Sequence, residues 1–539
     1  MARVVSVPQS WSSAIVASAA LVSVLSLASR ILGLLRDRML ATAFGAGPVL
    51  DAYYAAFRIP DFLFNLLGLG ALSAAFIPVY LRLRGGDRDR AFVFANRACS
   101  DILLVLLGIC GIGAIAARPL FAIIASGFPP EQLALTVAMG RTLFLATFFL
   151  GASTIAGGML QAEKRFFVFA AAPILYNLGI IIGVRWFVPS LGPIGIAWGV
   201  VLGAALHLTA QSIAARNMGF RLRWMPSLRD PAVREAAVLL VPRMIGLATE
   251  QLQLVVLAGI ASTLAAGSLT AFTFATNIQA VPVSLIGIAF AVAAFPYLSE
   301  TAAAHRRAEF RQHVSTVIRQ VLLLAFPVVV LVMTLKAQIV RVLLGSGAFD
   351  WKDTITTFQA LEAFGFGLAF AMLLPLLTRA FYALEDTRTP FRIGVCANIL
   401  GIGAAWFVGR HAGPRGLAAV VAFANIVQAT ILLVMLRVRV GDLDGRRVAT
   451  SMAKFATAAS AMAIVIQVMK PIVAAWTGTT TFLGIAMQGG IAGGLGCVVY
   501  LVVGYCIGAE EIVTFTRALH RRVLRMVPFP SGGADETRG

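Results

Sequence analysis

The decisive stretch of this chain reads SRILGLLRDRMLATAFGAG (residues 29–47) and continues PVLDAYYAAFRIPDFLFNLLGLGALSAAFIPVY (48–80). Most of it is apolar, but it contains seven charged residues: Arg30, Arg36, Asp37, Arg38, Asp51, Arg58 and Asp61. A charged side chain in the middle of a membrane helix costs about 2.5–3.5 kcal/mol on insertion scales, so such residues usually face a protein interior or a water-filled cavity. The stretch therefore predicts two membrane helices that turn a cationic face toward a cavity.

Composition places the whole chain in a membrane. Hydrophobic residues make up 59% of the 539 residues and charged residues 13%, whereas a soluble protein has about 25% charged residues. The apolar runs reach about 20 residues or more, which is the length of a membrane-spanning helix and too long for the strands of a barrel. We expect an all-α, polytopic membrane protein.

Turn-like or charged breaks between the apolar runs give 14 candidate transmembrane helices. Their limits are 12–35, 50–82, 93–117, 132–162, 166–188, 192–214, 233–264, 268–299, 311–335, 354–384, 390–409, 414–437, 449–470 and 481–507.

Arginines gather in alternate loops, namely those that follow the even-numbered spans. Because lysine and arginine favour cytoplasmic loops, this pattern predicts that both termini lie in the cytoplasm. It also accounts for most of the net charge of +20, so no nucleic-acid partner is expected.

The chain repeats itself at a spacing of about 220 residues. LGPIGIAWGV (191–200) matches HAGPRGLAAV (411–420), Asn177 matches Asn398, and Glu163 is aligned with Glu385. The repeat predicts two six-helix lobes plus two extra C-terminal helices. The predicted limits are 12–214 for the N-terminal lobe, 233–437 for the C-terminal lobe, 449–507 for the last two spans and 508–539 for a cytoplasmic tail. Transporters built from two such halves bind their substrate between them.

The charged positions of spans 1 and 2 suit a phosphate ligand. Arg30 and Arg36 lie six residues apart, so their directions from the helix axis differ by roughly 120°, and they can flank one opening. Arg58 and Asp61 share a face of the second helix, which Asn65 extends. Guanidinium groups bind phosphate with two parallel hydrogen bonds, and Asp37 and Asp51 could each pair with one of these arginines. The alternative is that residues 36–38 only mark the water interface at the end of span 1.

Two further spans add candidate site residues. Arg243 and Glu250 lie seven residues apart on span 7, where they share a face and could form an internal pair, or Arg243 could supply another cation to the cavity. Asn277 is a polar residue within span 8.

Catalytic and metal-binding patterns are not found in the sequence. There is no GxxxxGK[ST] phosphate loop and no HExxH, and the five cysteines form no CxxC pair. We expect a protein that is not an enzyme and has no cofactor. Transport would then depend on a coupling ion or on the membrane potential.

The segment 29–80 closely resembles the start of the MurJ (MviN) family, the lipid II flippases of peptidoglycan synthesis, within the multidrug/oligosaccharidyl-lipid/polysaccharide exporter superfamily. The resemblance extends over about residues 12–507. It implies a central cationic cavity and a groove for the undecaprenyl tail at the last two spans. It also implies that the substrate is an undecaprenyl-diphosphate-linked precursor, and that membrane lipids and cell-wall synthesis proteins are partners.

The resemblance also assigns roles to single residues. Arg30 and Arg36 match two cavity arginines of the family, Asp37 and Asp51 match acidic positions, and Arg58 matches a basic position in span 2. Three family residues are replaced in this chain: an arginine by Phe64, a second arginine by Asn277 and an acidic residue by Ala280.

Alternative functions stay open on the sequence. They are the export of another lipid-linked oligosaccharide, a cation-coupled drug exporter of the same superfamily, and a transport-inactive scaffold.

Overall fold

The structure is a computed structural model that describes residues 9–66, 76–227, 229–479 and 481–514. Side chains are described from residue 21 onward, apart from those at 239, 241–243, 245–247 and 250. Within these ranges the regular structure is helical and no strand occurs, which confirms the predicted all-α class.

Seventeen α-helices follow one another along the described chain. They are α1 (Gln9–Phe44), α2 (Pro48–Phe64), α3 (Ile77–Gly86), α4 (Arg88–Ile115), α5 (Ala117–Ile124), α6 (Pro130–Ala162), α7 (Phe166–Ile182), α8 (Val188–Leu191), α9 (Gly195–Asn217), α10 (Pro231–Ser262), α11 (Ser268–Pro282), α12 (Ala289–Ala303), α13 (Arg307–Leu344), α14 (Trp351–Ala383), α15 (Arg388–Val440), α16 (Gly445–Thr477) and α17 (Phe482–Cys506). Two π-helical segments join α7 to α8 (Gly183–Phe187) and α11 to α12 (Val283–Ile288).

Nine continuous helical stretches in the described residues are long and apolar enough to cross a membrane. Two of them, Phe166–Asn217 and Arg388–Val440, contain 52 and 53 residues. Since one crossing takes about 20 residues, each can hold two spans. The chain is thus a multi-pass membrane protein, while the count of 14 spans stays a prediction.

Both of these long stretches break at the glycine that the sequence repeat aligns. Gly192 has φ 69° and ψ −156°, and Gly413 has φ 60° and ψ −148°. Each precedes a proline, and this backbone conformation is one that glycine adopts readily because it lacks a Cβ. The two halves of the sequence repeat therefore turn with the same local geometry.

The left-handed residues that follow α6 and α14 correct one detail of that repeat. They are Lys164 at φ 60° and Glu385 at φ 59°. Lys164 and Glu385 are separated by the same interval as Gly192 and Gly413, so Lys164, rather than Glu163, corresponds to Glu385.

Contacts divide the chain into two compact units. The first comprises Met1–Val281, Val340–Phe364 and Phe391–Ala424, and the second comprises Pro282–Ile339, Gly365–Pro390 and Asn425–Gly539. These units follow packing, and the predicted lobe limits stay a prediction.

Small residues let helices of the first unit approach closely. Gly183, after α7, faces Gly199 on α9, and a Cβ built on either glycine would lie 2.5–2.6 Å from the other Cα. Because helices inside lipid gain no hydrophobic stabilisation by associating, such close backbone packing is a main source of helix association.

The segment that leads from α9 to α10 is held along α4 by side-chain acceptors. Asn96 Oδ1 accepts from the backbone N–H of Arg223 at 2.7 Å, and Asp101 Oδ1 accepts from that of Ser227 at 2.8 Å. Asp230 then caps α10 by accepting from two backbone N–H groups of its first turn.

Candidate functional site

Helix α1 continues past the three charged residues that, in the alternative interpretation, mark the water interface at the end of span 1. The predicted limit was residue 35, but the helix ends at Phe44. Arg36, Asp37 and Arg38 therefore lie inside a helix and not at its end. The Arg38 guanidinium donates to the carbonyl oxygen of Val342.

Arg36 is held by two residues of the first unit. Its Nε and Nη2 donate to Asp37 Oδ1 at 3.0 and 2.8 Å, and its Nη1 donates to Asn177 Oδ1 at 3.1 Å. The Asp37 side chain is 4% exposed and that of Arg36 22% exposed. The predicted Arg36–Asp37 pair is thus formed, with the carboxylate buried and part of the guanidinium accessible.

Asn277 completes the contacts of that carboxylate. Its Nδ2 donates to Asp37 Oδ2 at 2.9 Å, so each carboxylate oxygen has a donor. Since Asn277 is neutral, Arg36 is the cation that compensates the charge of Asp37 in this network.

On helix α2, two buried donors four residues apart have no acceptor among the described residues. They are the hydroxyl of Tyr54 and the Nε of Arg58, which share one face of the helix. Arg58 Nη2 donates to Thr273 Oγ1 at 3.3 Å, and the Tyr54 ring packs against that of Phe274 with centroids 5.9 Å apart. A buried donor without a partner is costly, so each of these two groups would be stabilised by an acceptor that comes within reach.

Asp61 lies on α2 beyond Arg58, and Asn65 is the residue that caps the C-terminus of this helix. No ion pair forms between Arg58 and Asp61 in the described structure, because the Arg58 fork turns toward α11. Asn65 Nδ2 donates to the carbonyl of Asp61 at 2.9 Å and to Gln251 Oε1 at 3.4 Å.

Asp51 has a different role from the predicted one, because it pairs with no arginine among the described residues. Its Oδ2 accepts from the backbone N–H of Gly267 at 2.6 Å, and its Oδ1 accepts from the backbone N–H and the hydroxyl of Thr270 at 2.8 and 2.6 Å. The first N–H groups of a helix have no partner within it and carry a partial positive charge. Asp51 therefore caps α11 from a neighbouring helix.

Two further turns lie close to the one that Asp51 caps. The backbone N–H of Ala46 donates to Asp353 Oδ2 at 2.8 Å, and that of Ala348 donates to the carbonyl of Thr42 at 2.9 Å. We call the turns at residues 45–47, 264–267 and 345–350 the three-turn cluster. All three fall on the predicted outer side of the membrane.

The remaining predicted site residues are placed less fully. Arg30 is exposed and has no hydrogen-bond or ion-pair partner in the part of the chain that the structure describes. Arg243 and Glu250 lie on α10, and their side chains fall outside the described residues. Their predicted pairing is therefore untested.

Sequence reasoning did not assign Asn177, Thr273 and Tyr54 to the site. Asn177 had a signal, since it is a polar residue in an apolar run and matches Asn398 in the repeat. Tyr54 had none, because a tyrosine in a membrane helix is equally suited to packing.

Within the described residues no group of three or more histidine, cysteine, aspartate or glutamate side chains could hold a metal ion. The arrangement can bind an anion through guanidinium, amide and phenol donors.

Residues 40–487 match the family described as "Lipid II flippase MurJ". The chain belongs to this family. The lipid II flippase MurJ of Burkholderia cenocepacia is 31% identical over 69% of this chain and 74% of its own length. The probable lipid II flippase MurJ of Rhizobium tropici is 28% identical over 95% and 97% of the two chains.

Solved structures of the MurJ family and its superfamily share the fold. A lipid II flippase MurJ in an inward closed conformation superposes with a TM-score of 0.75 at 23% identity, covering 91% of this chain and 99% of that one. An inward-facing multidrug resistance transporter of the MATE family, in the MOP superfamily, gives 0.67 at 16% identity over 78% of this chain and 99% of that one. The resemblance noted for residues 29–80 is thus confirmed at the level of the family, and the solved structures show a shared fold.

Proposed function

We propose that this protein is a flippase that moves lipid II, the lipid-linked peptidoglycan precursor, from the cytoplasmic to the outer leaflet of the bacterial inner membrane by alternating access. Membership of the lipid II flippase MurJ family supports this function. The same membership favours a transporter over a catalyst.

The physical problem is the passage of a charged headgroup through hydrocarbon about 30 Å thick. Moving one ion into a medium of low dielectric costs of order 20 kcal/mol in the ideal limit. Fixed guanidinium groups in a hydrated cavity offset that cost while the lipid tail stays in the bilayer. Arg30, Arg36 and Arg58 are the cations proposed for this role.

The observation that carries the proposal is the pair of buried donors on one face of α2, Tyr54 Oη and Arg58 Nε, which lack an acceptor in the described chain. A diphosphate supplies several acceptor oxygens, and hydrogen bonds to charged groups contribute about 1.5–3 kcal/mol each. Arg36 keeps part of its guanidinium accessible for the same ligand.

The remaining parts of the proposal follow from the charge pattern. Both termini lie in the cytoplasm, and the three-turn cluster faces the outside. The chain contains no phosphate loop, so a coupling ion or the membrane potential drives transport. Cell-wall synthesis proteins are proposed as partners that receive the precursor.

Complementation tests the function directly. The wild-type gene is expressed in cells depleted of their own flippase, and lipid II that is accessible at the outer leaflet is measured. Arg36→Gln and Arg58→Gln should reduce the rate at least tenfold, since each removes a charge-assisted contact. Arg90→Gln is the matched control, because Arg90 is 81% exposed and lies 3.7 Å from Asp87.

Three outcomes would count against the proposal. Failure of the expressed wild-type chain to restore growth would favour a scaffold that no longer transports. Equal activity of Arg36→Gln, Arg58→Gln and Arg90→Gln would show that the proposed cationic site does not bind the substrate. Binding of cationic dyes in preference to lipid diphosphates by the purified protein would favour a drug exporter.

We also propose that Arg243 supplies a cation to the site in place of the arginine that the family resemblance implies at position 277. If it does so, Arg243→Gln should impair complementation as Arg30→Gln does. Full activity of Arg243→Gln beside an inactive Arg30→Gln would exclude this replacement.

A further inference from the structure

A cavity of about 140 Å³ lies within the second unit, where four helix ends meet. Its walls include the last turn of α12, the first turn of α13 and the last residues of α14 and α15. The residues that line it include Ala302, His305, Arg307, Phe310, Leu384 and Arg439. A single water needs about 10–15 Å³ of such space, so the cavity can admit a group of several heavy atoms.

The cavity is lined by basic side chains, two of which have unused hydrogen-bonding capacity. The side chains of His305 and Arg307 are exposed and have no hydrogen-bond or ion-pair partner among the described residues. Arg439 pairs with Asp386. Arg311 follows Arg307 by one helical turn and lies beside Gly441, at the end of α15.

Arg306, the neighbour of Arg307 in sequence, provides an internal contrast. Its Nη2 donates to Glu300 Oε1 at 3.1 Å and its Nη1 to Glu309 Oε2 at 2.9 Å. It does not line the cavity. One of two consecutive arginines is thus neutralised by carboxylates, while the other stays available beside the cavity.

An apolar stripe on α15 leads to the cavity. Ile431, Val434, Met435 and Val438 are 42%, 54%, 44% and 77% exposed, and their spacing places them on one face of the helix. Arg439, which lines the cavity, directly follows Val438 in sequence and lies about 100° further around the helix. In a membrane-spanning helix such a face lies against acyl chains, so a lipid whose chains follow the stripe would bring its headgroup to the cavity.

We propose that this cavity binds the phosphate of an anionic membrane lipid, through Arg307 and His305, while the acyl chains lie along residues 431–438. Guanidinium groups bind phosphate in a two-pronged geometry. The lipid belongs to the leaflet at which the cavity opens, which the charge pattern predicts to be the cytoplasmic one. This site is separate from the proposed headgroup site on α1 and α2, and it does not depend on the transported substrate.

Native mass spectrometry of the purified full-length protein, titrated with dioleoylphosphatidylglycerol or dioleoylphosphatidylcholine, tests the assignment. The wild type should bind the anionic lipid more tightly, and Arg307→Gln should weaken that binding about fivefold, the usual effect of one basic residue near a lipid surface. Arg306→Gln removes the same charge one residue away and should change the affinity less than twofold. Ala302→Leu reduces the space in the cavity without a change of charge, and it should also weaken binding.

Several results would overturn the proposal. Equal losses from Arg306→Gln and Arg307→Gln would mean general attraction to a basic surface. An unchanged affinity in Ala302→Leu would show that the cavity is not used. Competition by 10 mM inorganic phosphate at this site would assign it to free phosphate and not to a lipid. Arg306 and Arg307 are both exposed, so melting temperatures close to that of the wild type are expected and confirm that these variants fold.

Discussion

Replacing Asp51 by asparagine should weaken the three-turn cluster. The carboxylate accepts three hydrogen bonds, two of them from the backbone N–H groups of Gly267 and Thr270. Asparagine keeps the shape but has only one acceptor oxygen. In either orientation of the amide, one of the two N–H groups faces another donor and loses its partner.

The magnitude follows from the contacts. An orphaned buried donor costs about 1–3 kcal/mol, and loss of a negative charge at a helix N-terminus adds about 0.3–1 kcal/mol. Since 1.4 kcal/mol is a factor of ten, a central value of about 2 kcal/mol raises the population of any state in which the turns have separated about 30-fold. Asp51→Asn should therefore show more of this separated state than the wild type.

Pulsed electron–electron double resonance can measure this change as the distance between spin labels at Ala265 and Lys352. The labels are placed in a background that lacks the exposed Cys396 and Cys506. The wild type should give one short distance, and Asp51→Asn a second, longer one. Asp101→Asn is the control, because it removes a carboxylate that also accepts a backbone N–H in the first unit, far along the sequence from the cluster. A distance distribution in Asp51→Asn identical to that of the wild type would refute the reasoning.

Two further predictions concern stability. Burial would raise the pKa of Glu163, but hydrogen bonds and the charge of Arg84 outweigh burial and hold that pKa below its usual value. The Arg84–Glu163 pair therefore stabilises the fold at pH values above the unfolded pKa of about 4.3. The difference in melting temperature between the wild type and Glu163→Gln should shrink as the pH falls below about 4, and a difference that does not depend on pH would contradict this. Gly267 has φ 88°, and a Cβ there would collide with the carbonyl of Ala46, so Gly267→Ala should cost about 2–5 kcal/mol. Gly478→Ala, at φ 70° in open space, should cost only about 1–2 kcal/mol, and equal losses in thermal unfolding would exclude the collision.

Local spacing along a helix predicted part of the site. Arg36 and Asp37 are neighbours in sequence, and their pairing required only that one side chain fold back on the other. The cost of buried charge also predicted that residues 29–80 would meet polar partners from elsewhere, as the contacts with Asn177 and Asn277 show.

The part that sequence reasoning missed depends on backbone atoms. Asp51 was assigned to an arginine because opposite charges attract, but its partners are N–H groups more than 200 residues away. Every helix has such groups at its start, so no residue type marks them in a sequence. The spacing placed Arg58 and Asp61 on one face of the helix, but it could not show that Arg58 donates to the hydroxyl of Thr273.

Asn277 makes the cationic site differ from the pattern that the family resemblance implies, because it places a neutral amide beside Asp37 where that pattern has an arginine. With an arginine at this position, Asp37 would have two cations and Arg36 would keep more of its charge for a ligand. With asparagine, the carboxylate is satisfied by Arg36 and a neutral amide, so the Arg36–Asp37 pair carries little net charge. The free positive charge of the segment then rests on Arg30 and on Arg58, whose Nε has no acceptor among the described residues. Any phosphate bound by this chain should therefore depend more on α2 than on the contacts of Asp37.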